Sequence, residues 1–388
     1  MTLRSATFLI AATLLLVPSA SLARGKAWST FKHDNARSGL TAAIGPQTNA
    51  IRWQHLLKGP GIQAPVAIGG DDVIYSGSSD GNFYAFYSDG SLRYKLRFGR
   101  RWQITAAPAI AADNTAYVPT ERGILYAISP HAELAWSFDL EGYAGASAAP
   151  AVRDDGVIYV GAKKFNAVNP DGSLLWSYDT GSPIAGPAAI GRDGTVYFPS
   201  ANYLYALDAG GTLLWRARGR AQYPLGSAPA VAKDGTIYIN TNDGVLHAFT
   251  HHGKLAWKYP TEGIVMDVPA SPAIGQDGTI YFGGGGEHEG QGGYLYALDP
   301  DGGLKWKFFA GCDQTAAAVG GDGTIYFASD SCGTIHALHP DGSLKWTLAN
   351  ASVYMRGAPA IARDGTLYAG MLAGPTTPDT GGLLAIGP

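Results

Sequence analysis

Hydrophobic and polar positions along this chain recur in a fixed order. Ala228-Pro-Ala-Val231 is followed by Asp234-Gly-Thr-Ile-Tyr238, Leu246-His-Ala-Phe249 and His252-Gly-Lys-Leu-Ala-Trp257. The next stretch repeats the order as Ser271-Pro-Ala-Ile274, Asp277-Gly-Thr-Ile-Tyr281, Leu295-Tyr-Ala-Leu298 and Asp301-Gly-Gly-Leu-Lys-Trp306. Tyrosines 75, 117, 159, 197, 238, 281, 326 and 368 anchor the copies, separated by 42, 42, 38, 41, 43, 45 and 42 residues. That period belongs to propeller blades. Each copy predicts four short strands. Strand A is small and apolar, as an inner edge crowded around an axis requires. Strand B carries β-branched and aromatic residues, strand C is of the Leu-Tyr-Ala-Leu type, and strand D ends near a Trp or Tyr that fills the space between blades.

Counting strands predicts how the ring closes. The A–B–C sets number eight, whereas strand D follows only seven of them, at Tyr94, Trp136, Trp176, Trp215, Trp257, Trp306 and Trp346. The eighth copy of D is Ile51-Arg-Trp53, ahead of the first repeat. The expected fold is therefore an all-β, eight-bladed propeller of four-stranded antiparallel blades. It forms one domain over 24–388, in which 51–57 pairs with 358–388. Closure removes the free sheet edges that invite aggregation.

Composition agrees. The chain has 388 residues with 53 Gly, and that share of glycine is about twice the usual ~7%. Asp-Gly occurs twelve times and supplies the positive φ of tight hairpins. Glycine without a three-residue period excludes collagen. A hydrophobic content of 46% with a net charge of −3 excludes disorder.

Residues 1–23 read as an export signal. Arg4 is followed by the apolar run 6–17 and by Ser21-Leu22-Ala23 at the cleavage positions. The run is shorter than the about twenty residues of a transmembrane span, so no span is expected. Its removal takes away one Arg and no acid, so −3 becomes −4. Binding to nucleic acid through bulk charge is not expected. The expected destination is periplasmic or extracellular. There, the two cysteines, Cys312 and Cys332, are expected to form a disulfide. They flank strands A and B of the seventh repeat and read as a structural clip rather than a redox pair.

The repeat Asp-Gly-Thr-Ile-Tyr…Leu-Tyr-Ala-Leu-Asp…Gly-Leu-Lys-Trp resembles that of the PQQ-type, quinoprotein-like propellers. The stretch Trp28-Ser-Thr-Phe31…His33-Asp34-Asn35…Arg37-Ser-Gly39 is similar to the opening of exported members. The resemblance covers roughly 28–388. It implies the propeller fold and leaves function open, because the scaffold hosts dehydrogenases and outer-membrane assembly factors alike.

In such a propeller the D–A and B–C loops share one face, the funnel, and the A–B and C–D turns share the other. The Asp-Gly hairpins are assigned to the turn face as structural elements. The irregular D–A and B–C loops point to the funnel as the binding face. Arg101, Arg218, Arg220 and Arg356, interleaved with Trp102, Tyr143, Tyr223 and Tyr354, are the candidate ligand-binding set. Guanidinium forks bind carboxylates and aromatic faces stack on planar groups or sugars. The bland alternative is solvated arginines with loop-packing aromatics. Asp267, Glu287, Glu289 and Asp313 are candidate metal ligands, but their spacing is unordered and equally fits a solvated glycine-rich loop.

These residues rank three functions. First is a non-catalytic exported scaffold that binds a protein segment or a glycan. Second is a dehydrogenase of the resembling family, whose members use PQQ, calcium, adjacent cysteines, an Asp base and a tryptophan floor. Here the cysteines are not adjacent and no residue carries over as catalytic. PQQ and calcium are accordingly not expected. Third is a lyase acting on uronic acids, which requires a Tyr or His base beside a carboxylate-binding Arg. Tyr223, Tyr354 and Arg356 are of suitable type.

Overall fold

The protein is described by a computed structural model covering residues 27–98, 102–143, 148–219, 227–241, 244–262, 270–285, 293–350, 352–374 and 380–388. Eight antiparallel sheets form the ring. Blade 5 is representative, with strands A to D at Ala230–Val231, Ile237–Asn240, Val245–Phe249 and Leu255–Pro260. Its A strand spans two residues, while B and C are buried throughout. Strand D alternates exposed and half-buried positions, as expected of an outer strand covered on one face. The eighth blade joins Ala360–Ile361, Leu367–Ala373 and Gly382–Ile386 to the N-terminal strand Ile51–Leu56. Closure continues at Leu57, whose N–H donates to Gly381 O at 2.8 Å.

The core lies between neighbouring blades. Phe165 of blade 3 stacks on Phe198 of blade 4 with centroids 3.8 Å apart. Within blades 2 to 8 the strand-B tyrosine packs on the strand-D tryptophan. Tyr238 and Trp257, for example, have ring centroids 5.6 Å apart. Each tryptophan then reaches the C–D turn of the next blade. Trp136 Nε1 donates to Pro170 O at 2.8 Å, Trp176 to Ala209 O at 3.0 Å and Trp306 to Pro340 O at 2.9 Å. Blade 8 has its C–D turn split between the termini, and Pro46 takes the turn's place. Its carbonyl accepts from both Trp346 Nε1 and Tyr326 Oη, each at 3.0 Å.

The Asp-Gly glycines adopt the positive φ expected of them, such as Gly172 at 86° and Gly235 at 85°. Their assignment to one face needs correction at two places. Asp80-Gly81 joins strands B and C of blade 1 and therefore lies on the funnel face. Gly244, of the pair Asp243-Gly244, likewise stands between strands B and C of blade 5.

Candidate functional site

Segment 28–39 runs inside the ring and meets the A strands in turn. The N–H groups of Ile68, Ile110, Ile190, Val231, Ile274 and Val319 donate to carbonyls of Trp28, Ser29, Asn35, Ala36, Ser38 and Gly39, at 2.7 to 2.8 Å. Asn35 Nδ2 covers blade 3 by donating to Val152 O at 2.6 Å. The inner strands of blades 1 to 7, which have no further strand to pair with, thereby gain partners for their backbone. Lys32, His33 and Arg37 all have positive φ, an arrangement that survives only where the surroundings over-determine it.

Arg37 is fully buried. Its guanidinium donates to Ala188 O, Thr30 Oγ1, Phe31 O, Ala149 O and Pro150 O, joining the segment to blades 3 and 4 at the funnel end of their A strands. Lys32 is buried as well, and its Nζ has no hydrogen-bond partner. Burial draws its proton affinity well below that of an ordinary lysine.

On the funnel rim, the described candidate residues other than Arg218 fall into two groups with blade 1 between them. The first spans blades 2 and 3. Trp102 and Tyr143 are 42% and 68% exposed. Glu121 lies between them in sequence: its N–H donates to Gln103 O at 3.1 Å, and its carboxylate accepts from Thr105 Oγ1 at 3.2 Å. Partial burial and the Glu121 carboxylate raise the Tyr143 phenol above its ordinary range.

The second group sits on blades 7 and 8. Cys312 and Cys332 form the expected disulfide, with Cα atoms 5.9 Å apart, and it clips the D–A loop of blade 7 to its B–C loop. Beside it, Asp330 N donates to Asp313 O at 2.8 Å, and Met355 N donates to Asp330 O at 3.2 Å. Arg356 Nε stands 3.2 Å from Asp330 Oδ2, so Asp330 is the partner that the sequence reading did not pair with Arg356. Tyr354 belongs to a two-residue strand, Val353–Tyr354, added beside Leu367–Ala373. Arg218 ends strand D of blade 4 and is exposed. The candidates Arg101, Arg220, Tyr223, Asp267, Glu287 and Glu289 lie outside the described residues. Among the described residues no three His, Cys, Asp or Glu side chains assemble into a metal-holding group.

No curated protein sequence matches the chain. The fold is shared with quinohemoprotein alcohol dehydrogenase from Comamonas testosteroni at 13% identity. That alignment covers 93% of this chain and 80% of that one, with a TM-score of 0.75. BamB from Moraxella catarrhalis is 17% identical over 72% of this chain and 81% of its own, with a TM-score of 0.56. A europium-containing methanol dehydrogenase is 12% identical over 90% of each chain, with a TM-score of 0.70. Identities this low establish shared architecture alone. The sequence itself matches the family described as outer membrane protein assembly factor BamB over residues 37–182, 100–209 and 164–307. These matches span well over half of the sequence, and the chain belongs to this family of PQQ-type β-propellers.

Proposed function

We propose that this protein is an exported, non-catalytic scaffold that binds an extended protein segment on its funnel face. One observation carries the reading. Trp102 and Tyr143 stand exposed on neighbouring D–A loops, whereas the strand-B tyrosines and strand-D tryptophans are spent on packing. Exposed Trp and Tyr with a polar surround are the side chains that dominate protein–protein binding energy. The family description as an assembly factor supports the same class of partner. Export rests on residues 1–23, which lie outside the described residues. Among the described residues no helix is long and apolar enough to cross a membrane.

The quinone cofactor of the dehydrogenase-like relatives calls for a tryptophan floor and adjacent cysteines. Seven of the nine tryptophans here donate to inter-blade carbonyls. Trp28 is buried in the axial segment and Trp102 lies on the rim. The two cysteines are 20 residues apart and bonded to each other. The donors of Arg37 are taken up by five protein oxygens. These residues do not fit the quinone. The lyase reading gains no support either, since Arg356 is paired with Asp330 and Tyr223 lies outside the described residues.

The test is affinity capture from the exporting cell with the wild type and a Trp102→Ala/Tyr143→Ala variant. The wild type is expected to retain a specific protein partner, and the variant to lose affinity by at least about thirtyfold, as two anchor residues would give. Capture of no specific protein, or equal capture by both, would reject the proposal.

A further inference from the structure

On the face opposite the funnel, the axis of the ring opens into a cavity of about 1240 Å³. Its floor is the underside of segment 28–39, including His33, Asn35 and Ser38. Its wall is built from the first turns after the A strands, and there three consecutive blades present long polar side chains in equivalent places. These are Arg192, Lys233 and Gln276, each two residues beyond the end of its strand A and each exposed. Arg153, directly after strand A of blade 3, also lines the cavity and is ion-paired with Asp155. Among the described residues neither Arg192 nor Lys233 has an ion-pair or hydrogen-bond partner. The acids that follow them are held in their own turns. Asp193 accepts from Thr195 N at 3.0 Å and Oγ1 at 2.9 Å, and Asp234 from Thr236 N at 2.9 Å and Oγ1 at 3.1 Å.

This lining narrows the class of ligand. Cations and carboxylates share it, so no uniform field selects a simple ion of either sign. The apolar members of the wall, such as Ile190 and Ile274, are themselves 7% exposed and offer a peptide side chain no pocket to fill. The turn backbone is closed on itself, as by Gly191 N donating to Thr195 O at 2.8 Å, and so gives no edge for strand addition. What remains is a chamber of mixed apolar and polar lining, larger than the ~300–1,000 Å³ typical of a small-molecule site. Vicinal hydroxyls, which both donate and accept, match such a lining. At His33 the backbone holds φ at 75°, a conformation that persists in the floor despite its cost.

We propose that this axial cavity binds a neutral oligosaccharide, held by Arg192, Lys233 and Gln276 above the floor of segment 28–39. The site is independent of the funnel face. It is tested by calorimetric titration of the full chain with maltotetraose, cellotetraose and chitotetraose, with tetragalacturonate and inorganic phosphate as charged probes. Saturable binding of a neutral tetrasaccharide is expected. It should weaken at least about tenfold in an Arg192→Ala/Lys233→Ala variant, the loss of one or two hydrogen bonds to charged groups. The variant should keep the wild-type melting temperature, because both side chains are exposed and unpaired. Binding should persist in the Trp102→Ala/Tyr143→Ala variant, which separates this site from the funnel. No binding of any neutral tetrasaccharide, binding that survives loss of Arg192 and Lys233, or binding of phosphate or tetragalacturonate alone would overturn the proposal.

Discussion

A single side chain in blade 7 links the packing of the ring to its acid tolerance. His336 lies in strand C, at a position where blade 6 has Tyr296 and blade 4 has Tyr205. Its ring stacks on Phe327 at 5.0 Å and meets Phe308 edge-on at 5.6 Å. Nδ1 is 3.4 Å from Thr347 Oγ1, and Nε2 has no hydrogen-bond partner. Burial pushes its pKa down from 6.5 to about 4. The unfolded chain therefore binds a proton between these values and the folded chain does not. The stabilising contribution is full above pH 6.5 and is lost as pH falls toward 4. From pH 7 to pH 5 the loss is about 2 kcal/mol. Thermal unfolding of wild type and His336→Phe at both pH values should show the variant losing less stability on acidification. An equal loss would mean that His336 is not the group responsible.

At the scale of elements, the joint between strand D and the next C–D turn explains why Gly and Trp recur together. A Cβ on Gly211 would lie 2.6 Å from the Trp176 ring, at a φ of +86°. A Cβ on Gly194, at φ +82°, would meet nothing within 4 Å. Gly194→Ala should therefore cost only the left-handed penalty of about 1–2 kcal/mol. Gly211→Ala should add about 1–3 kcal/mol for displacing a packed ring. Denaturant titration of the two variants checks the ranking, and equal losses would contradict the docking role of the turn.

This regularity is what made the blades legible from sequence. Tyr, Asp-Gly and Trp recur because one packing unit recurs, and the missing D strand pointed to Ile51-Arg-Trp53. The clip between Cys312 and Cys332 followed from their places beside neighbouring strands. Other features depend on contacts without a local pattern. Segment 28–39 works through backbone carbonyls offered to strands up to Val319, and carbonyls carry no side-chain signature. The pairing of Arg356 with Asp330 depends on the path of irregular loops. The cavity on the turn face has no local sequence signature, because Arg192, Lys233 and Gln276 are each one blade apart in the chain and only closure of the ring brings them around one axis.

For the whole molecule, closure and the axial segment leave two faces with different chemistry. The inner strands of blades 1 to 7 bond to segment 28–39, neighbouring blades are joined by the tryptophan-to-turn hydrogen bonds, and the sheet of the last blade is completed by Ile51–Leu56. The ring is thus a rigid frame for its loops, on which function is carried. The funnel carries exposed aromatics, and the opposite face carries an axial chamber of mixed lining. The central claim, protein binding through the funnel, is tested most directly by placing a photo-crosslinking amino acid at position 102 and, as control, at His131. His131 is exposed on a C–D turn of the opposite face. In the exporting cell, the account predicts a discrete protein adduct from position 102 and none from position 131. The same adduct from both positions, or no adduct from position 102, would contradict it.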